Sequence, residues 1–185
     1  VIVYTKEMAT GYLELIVGPM FSGKTTSLVN IYNEIKDTQK ILVVNYSLDT
    51  RYDSSKLSTH DKVMIPCEFM SELRSNFDTM KKADIILINE GQFFPDIKDV
   101  VIELVETHHK KVYICGLDGD FKRNKFGELL DLLPYCDNIK KLTAKCDCGN
   151  DALFSHRLAI STDQVLIGST NYVPLCRKCY QKAQI

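Results

Sequence analysis

The chain has 185 residues, room for one sizeable domain with a small appendage. Hydrophobic residues make up 45% and charged residues 25%, enough to fill a core and keep a solvated surface. With 23 basic against 24 acidic side chains the formal net charge is −1. That balance argues against a dedicated nucleic-acid binder, and no apolar run approaches the length of about 18 residues that a membrane span needs.

The first residues, "VIVYTKEMATGY", hold Lys6 and Glu7 and carry no secretory pattern, which makes Met8 a candidate native start and a cytoplasmic location the expectation. Short apolar runs then alternate with segments of helical period, the pattern of an α/β fold with a largely parallel sheet. Strands are predicted at Leu13–Val17, Ile41–Asn45, Asp84–Asn89 and Lys111–Cys115. After the first strand, Leu28, Ile31, Tyr32 and Ile35 share one helical face. After the third, Ile97, Val100, Val101, Leu104 and Val105 do the same. That second helix opens with Pro95 and Asp96 and closes with His108, His109, Lys110 and Lys111, the charge order a helix dipole favours. The histidine pair is therefore read as a C-terminal cap. Between the second and third strands, "SLDTRYDSSKLSTHDK" is polar and aperiodic, a predicted mobile loop. From about Leu142 the pattern changes to short alternating runs between cysteine pairs, which puts a domain boundary there: 1–141 and 142–185.

The stretch "GPMFSGKT" fits G-x-x-x-x-G-K-[ST] at Gly18, Gly23, Lys24 and Thr25, with a strand before it and a helix after it as the motif requires. Its backbone amides and the helix N-terminus favour an anion, Lys24 reaches β/γ-phosphate oxygens, and the Thr25 hydroxyl can ligate Mg²⁺. The whole run, Gly18, Pro19, Met20, Phe21, Ser22, Gly23, Lys24, Thr25 and Thr26, is the expected ATP cradle. At the end of the third strand, where an Asp would usually hold the metal's water shell, the chain has Asn89. One charge fewer at about 5 Å forfeits about 3 kcal/mol of attraction at an effective dielectric of about 20. Glu90, next to it, is a carboxylate placed to take a proton from an attacking hydroxyl or water.

Seven cysteines is an odd count, and four of them, Cys146, Cys148, Cys176 and Cys179, fall in two tight pairs. This reads as a zinc site rather than a disulfide framework. The first pair is C-x-C, one residue short of the C-x-x-C form, and a tight turn at Gly149 is needed to bring its thiolates onto one ion. His156 or a water is the alternative fourth ligand. Cys67, Cys115 and Cys136 are read as packing residues.

Taken in order, "GPMFSGKTT", "DTRY" with "THD", "EGQFFPD", "LDGDFKRNKFG", "KLTAKC", "RL" and "CRKCY" resemble the zinc-containing thymidine kinases over nearly the whole chain, from about Gly11 to Tyr180. The resemblance implies a P-loop NTPase-like parallel sheet with flanking helices plus a small zinc-bearing lasso domain. It implies ATP-dependent phosphorylation of the 5′-hydroxyl of thymidine, with deoxyuridine as a further acceptor, Mg²⁺ accompanying ATP and a structural Zn²⁺. It also implies a homotetramer with feedback inhibition by thymidine triphosphate.

By position, Glu90 matches the general base, and Arg51 the cation that meets phosphate oxygens, with Asp49 orienting Arg51 or helping the metal beside Thr25 and Asn89. Phe93, Leu117, Phe121 and Phe126 match the apolar walls of the nucleoside pocket, and Met20 the contact to the base's methyl group. Leu166, Ile167, Gly168 and Tyr172 match the lasso that closes over the nucleoside. On residue type alone, the four apolar wall residues read as core and Arg51 as a surface ion-pair residue. His60 is read as ordering its loop. Two rival functions remain at this level: a P-loop ATPase whose zinc ribbon grips nucleic acid, and a kinase weakened by Asn89.

Overall fold

The computed structural model describes residues 10–47, 56–58, 64–166 and 168–183. Strand β1 (Tyr12–Val17) runs through a glycine-bordered turn into helix α1 (Lys24–Ile35), and β2 (Ile41–Tyr46) follows. The short β3 (Lys56–Ser58) and β4 (Met64–Pro66) form an antiparallel pair, and β5 (Glu68–Met70) lies on the sheet edge. Helix α2 (Phe77–Lys82), β6 (Ile85–Ile88), helix α3 (Ile97–Ile102) and β7 (Lys111–Gly116) complete the repeating unit, and β8 (Asn138–Lys141) closes the other edge. The six-stranded sheet has the order β5-β2-β6-β7-β1-β8, and its neighbours pair in parallel.

Period-two alternation distributes β1 between two cores. Leu13, Leu15 and Val17 face Ile97, Val100, Val101 and Leu104 of the α3 side, while Ile16 joins Leu28 and Val29 of α1 on the opposite face. Each fully buried aliphatic side chain contributes about 1.5–3 kcal/mol relative to exposure. All four predicted strands are present, each within about a residue of its expected ends. The predicted face of α1 packs as expected, with Ile31, Tyr32 and Ile35 half-buried against the second core.

Two local expectations need correction. The polar stretch after β2 is not loop throughout: β3 lies within it, and Leu57, buried beside Ile65, pins it to the α1-side core. The α3 segment also ends differently. Its last turn widens to π-helix over Glu103–Thr107, and the helix ends before His109, whose φ of +51° leaves helical space. Lys111 already belongs to β7, and Asp96 turns its carboxylate to the backbone N–H groups of Leu73 and Arg74 rather than capping its own helix.

Beyond β8 the chain builds two small antiparallel pairs, β9 (Ala144–Lys145) with β10 (Asp151–Ala152) and β11 (Phe154–Arg157) with β12 (Tyr172–Leu175), then helix α4 (Arg177–Ala183). Their core is a separate cluster of Ala144, Cys146, Ala152 and Cys176.

Candidate active site

Strands β6, β7 and β1 are consecutive in the sheet, so the segments leaving their C-terminal ends converge. These ends carry the anion loop, Glu90 and the 117–126 loop. Gly18 is required by crowding: a Cβ there would lie 2.5 Å from the Leu142 carbonyl oxygen. Phe21 and Gly23 both take left-handed backbone angles and curl the loop toward the start of α1. The Lys24 side chain is buried, and its Nζ donates to the Pro19 carbonyl at 2.7 Å, with the Ser22 hydroxyl donating to the same oxygen at 2.8 Å. Burial pushes the Lys24 pKa below the usual lysine value, and Glu90, Cys115 and Asp118 pull it back upward. Thr26 is exposed on the first turn of α1.

Asn89 is 2% exposed and sits in a polar knot. Its Oδ1 accepts from Thr25 Oγ1 at 3.3 Å and from the Cys115 thiol at 2.9 Å, while its Nδ2 donates to Asn45 Oδ1 at 2.9 Å. Cys115, expected only to pack, therefore also donates a hydrogen bond. The pair of hydroxyl and amide oxygens is a hard donor set of the kind Mg²⁺ prefers.

Glu90 has φ +56° and ψ +44°, an uncommon conformation for a residue with a Cβ. Strain of about 1–3 kcal/mol at such a position persists only where surrounding structure enforces it. Gln92, which the residue pattern did not single out, does part of that. Its Nε2 donates to Glu90 Oε2 at 2.6 Å, and its Oε1 accepts from the Leu117 N–H at 3.0 Å. One buried amide thus couples the end of β6 to the end of β7.

Of the four expected wall residues, Phe93 and Phe126 are in contact. Phe93 stacks on Tyr46 at 5.1 Å and meets Phe126 edge-on at 5.3 Å, whereas its neighbour Phe94 points into the core. Phe126 is 7% exposed, while Leu117 and Phe121 are half-buried. Met20 is tied to the smaller unit through its backbone N–H, which donates to Ser155 Oγ at 2.9 Å. Tyr172 donates its hydroxyl to the Leu166 carbonyl at 3.1 Å. Asp49, Arg51, His60 and Ile167 lie outside the described residues. Gly168 is described and has a φ of +127°.

The sulfur atoms of Cys146, Cys148, Cys176 and Cys179 lie within 4.8 Å of one another. Cys148 Sγ is 3.5 Å from Cys146 Sγ and 3.6 Å from Cys176 Sγ, close to the edge of about 3.8 Å that a tetrahedron with zinc–sulfur bonds of about 2.3 Å requires. The C-x-C spacing works because the chain turns sharply: Gly149, at φ +87°, donates its N–H to the Cys146 carbonyl at 2.8 Å. The Asn150 backbone N–H, then its side chain, hold the Cys148 thiol pKa down to about 6, while neighbouring sulfurs push that of Cys179 up to about 12. The cluster can bind zinc with four sulfur ligands. His156 instead packs edge-on to Tyr180 at 5.9 Å.

A family model described as thymidine kinase matches residues 11–180. Thymidine kinase a of Arabidopsis thaliana is 40% identical over 179 residues, covering 92% of this chain and 75% of that protein. The cytosolic thymidine kinase of Cricetulus griseus is 39% identical over 175 residues, covering 93% and 74%. The thymidine kinase of Monkeypox virus is 39% identical over 176 residues, covering 94% and 98%.

Proposed function

The chain belongs to the thymidine kinase family, and from that premise we propose how its own residues carry the reaction. It is a phosphotransferase that takes the γ-phosphoryl group of ATP and gives it to thymidine. The triphosphate lies along Gly18–Thr26, and Lys24 exchanges the Pro19 carbonyl for β/γ-phosphate oxygens. A charged acceptor is the stronger partner for a buried ammonium, so the exchange is favourable. Thr25 and Asn89 are the oxygen donors that would hold the Mg²⁺ accompanying ATP, whose charge would offset that of the phosphates.

Glu90 accepts the proton of the nucleoside 5′-hydroxyl as that oxygen bonds to the γ-phosphorus. The bond to the bridging oxygen breaks, and its electron pair leaves on ADP. Arg51, with Asp49 beside it in sequence, stabilises the charge spread over the transferring group. Phe93, Leu117, Phe121 and Phe126 enclose the pyrimidine and Met20 meets its methyl group. The segment from Leu166 to Tyr172 closes over it, excluding the water that would compete for the phosphoryl group. The observation that carries this reading is Glu90 itself: a carboxylate in a costly backbone conformation, gripped by Gln92, within the field of the cradle lysine.

Further parts of the reading rest on family membership, namely a homotetramer, inhibition by thymidine triphosphate and acceptance of deoxyuridine, while the division at residue 141/142 and a cytoplasmic location rest on the sequence pattern. Among the described residues no helix is long and apolar enough to cross a membrane. The nucleic-acid-binding alternative has no comparable support.

The test is transfer of labelled γ-phosphate across the four deoxynucleosides by wild type, Glu90→Ala and Glu90→Gln. Thymidine is the expected acceptor, and both variants should lose at least a hundredfold in kcat while still binding ATP. Undiminished turnover in Glu90→Gln would remove the base assignment.

A further inference from the structure

Arg157 stands at the last position of β11 and is 6% exposed, yet among the described residues none of its partners is a carboxylate. A guanidinium has five N–H donors, and here all five are used. Nε donates to the Tyr172 hydroxyl at 3.1 Å, and one terminal nitrogen reaches the same oxygen at 2.5 Å and the Gln164 carbonyl at 2.9 Å. The other terminal nitrogen donates to the carbonyls of Ser161, at 3.3 Å, and Asp163. The charge is offset by an aromatic face, since the guanidinium carbon lies 3.8 Å from the centroid of the Phe121 ring.

Placement explains why one side chain can do this. Arg157 and Tyr172 are cross-strand partners at the open end of the β11–β12 pair, so they form the neck from which the 158–166 segment departs. The described part of that segment has no helix or strand of its own, so its carbonyls need a partner from elsewhere. A second contact ties the segment to the loop that follows β7: Gln164 Nε2 donates to Asp120 Oδ2 at 3.0 Å. Asp120 is 7% exposed, and its other oxygen accepts from the backbone N–H groups of Lys122, at 2.9 Å, and Asn124, at 2.8 Å. It therefore shapes the loop bearing Phe121 and receives the lasso at once.

Resting on the reading of this pocket as the nucleoside seat, we infer that Arg157 and the Gln164–Asp120 contact form a latch that sets nucleoside affinity. Arg157 is a positioning residue that acts through Tyr172 and Phe121, and Gln164 is the clasp holding the lasso against the 117–126 loop. The hydrogen bonds of the latch run to Tyr172, the 161–164 carbonyls and the 117–126 loop rather than to the phosphate cradle or Glu90, so its loss separates nucleoside binding from ATP binding. It also admits water to the phosphoryl group, so ADP forms in excess over thymidine monophosphate.

The experiment compares wild type, Gln164→Ala and Arg157→Lys by KM for thymidine, KM for ATP, kcat and the ratio of ADP to nucleotide product, with zinc content and Tm as controls. Lysine keeps the charge but has a single point of donation, so it cannot reproduce the fork. Expected are a thymidine KM raised about fivefold to tenfold in Gln164→Ala and more than tenfold in Arg157→Lys, an ATP KM within twofold of wild type, and a product ratio above one. Gln164 is exposed, so its truncation leaves folding intact and decides the matter alone if Arg157→Lys loses zinc or Tm. A thymidine KM within twofold of wild type in Gln164→Ala overturns the latch. Failure of wild type to phosphorylate thymidine would instead overturn the reading of the pocket on which the latch rests.

Discussion

Replacing Asn89 by Asp restores the carboxylate that a phosphate-binding strand end usually presents to the metal. Two opposing effects can be sized. Thr25 Oγ1 and the Asn89 oxygen are 3.3 Å apart, so a cation held by both phosphate and Thr25 lies about 5 Å or less from the new charge. At an effective dielectric of about 20 the added attraction is about 3 kcal/mol per unit of net cation charge, on the order of a hundredfold in affinity for a Mg²⁺ half neutralised by phosphate. Against this, Asn89 Nδ2 now donates to Asn45 Oδ1 at 2.9 Å in a site closed to water. Asp would set two acceptors face to face there, at about 1–3 kcal/mol of folding stability. The expected variant therefore works at tenfold lower free Mg²⁺ and melts a few degrees earlier. Activity titrated against free Mg²⁺, together with a thermal melt without nucleotide, checks both halves. An unchanged Mg²⁺ requirement would refute the placement of Asn89 beside the metal, and an unchanged Tm would refute the Asn45 contact.

Gln92→Met keeps the side-chain volume but removes both the bond to Glu90 and the one to the Leu117 N–H, so kcat should fall about tenfold to a hundredfold with ATP binding intact, read by steady-state kinetics and nucleotide titration. Cys148→Ser should lose zinc by elemental analysis, lower Tm and raise the thymidine KM while sparing that of ATP, because the cluster is the core of the smaller unit. Glu14, buried on β1, sees burial raise its pKa, but the Lys140 ammonium paired with it at 2.8 Å and hydrogen bonds from Tyr12 and Asn138 outweigh it, so the carboxyl ends below its ordinary 4.5. A lowered folded pKa contributes stability that is present above 4.5 and is lost as the pH falls through the folded value. Lys140→Met removes the counter-charge, so it should destabilise by about 1–2 kcal/mol at pH 7, a gap that closes on acidification as Glu14 protonates; denaturant melts at pH 7 and pH 4 measure it. A gap that stayed constant over that range would remove Glu14 from the account.

What was legible depended on whether the physics was local. The strand–glycine–lysine–helix pattern, the carboxylate after β6 and the paired cysteines are each written within a few residues, and the fold places them where those patterns require. Even the short C-x-C pair could be reconciled in advance, since Gly149 supplies the left-handed turn it needs. Leu57 was harder. It is one apolar residue in a polar run, and only its pairing opposite Ile65 makes it a strand. Gln92 and Arg157 left no trace of their work, because the bonds to the Leu117 N–H and to the carbonyls of Ser161, Asp163 and Gln164 select no partner residue type. Their sequence neighbours, "EGQFFPD" and "RL", marked the places without stating the roles.

The same preference for backbone partners connects the two cations of the site. Lys24 donates to the Pro19 carbonyl and Arg157 to three loop carbonyls and a phenol, so among the described residues neither is hydrogen-bonded to a carboxylate. For Lys24 the weak partner matters because the ammonium must change partners when a phosphate arrives. A direct carboxylate bond, roughly twice as strong as one between neutral groups, would oppose that exchange. For Arg157 the partners are the structure being held, and five short-range bonds from a rigid fork fix a loop that has no ladder of its own. A lysine suits the partner that must be surrendered and an arginine the set that must be kept. Exchanging them should fail in opposite ways: Lys24→Arg by blocking the cradle and raising the ATP KM, Arg157→Lys by loosening the lasso and raising the thymidine KM. Equal effects of both exchanges on both constants would show that the two cations serve one undivided site.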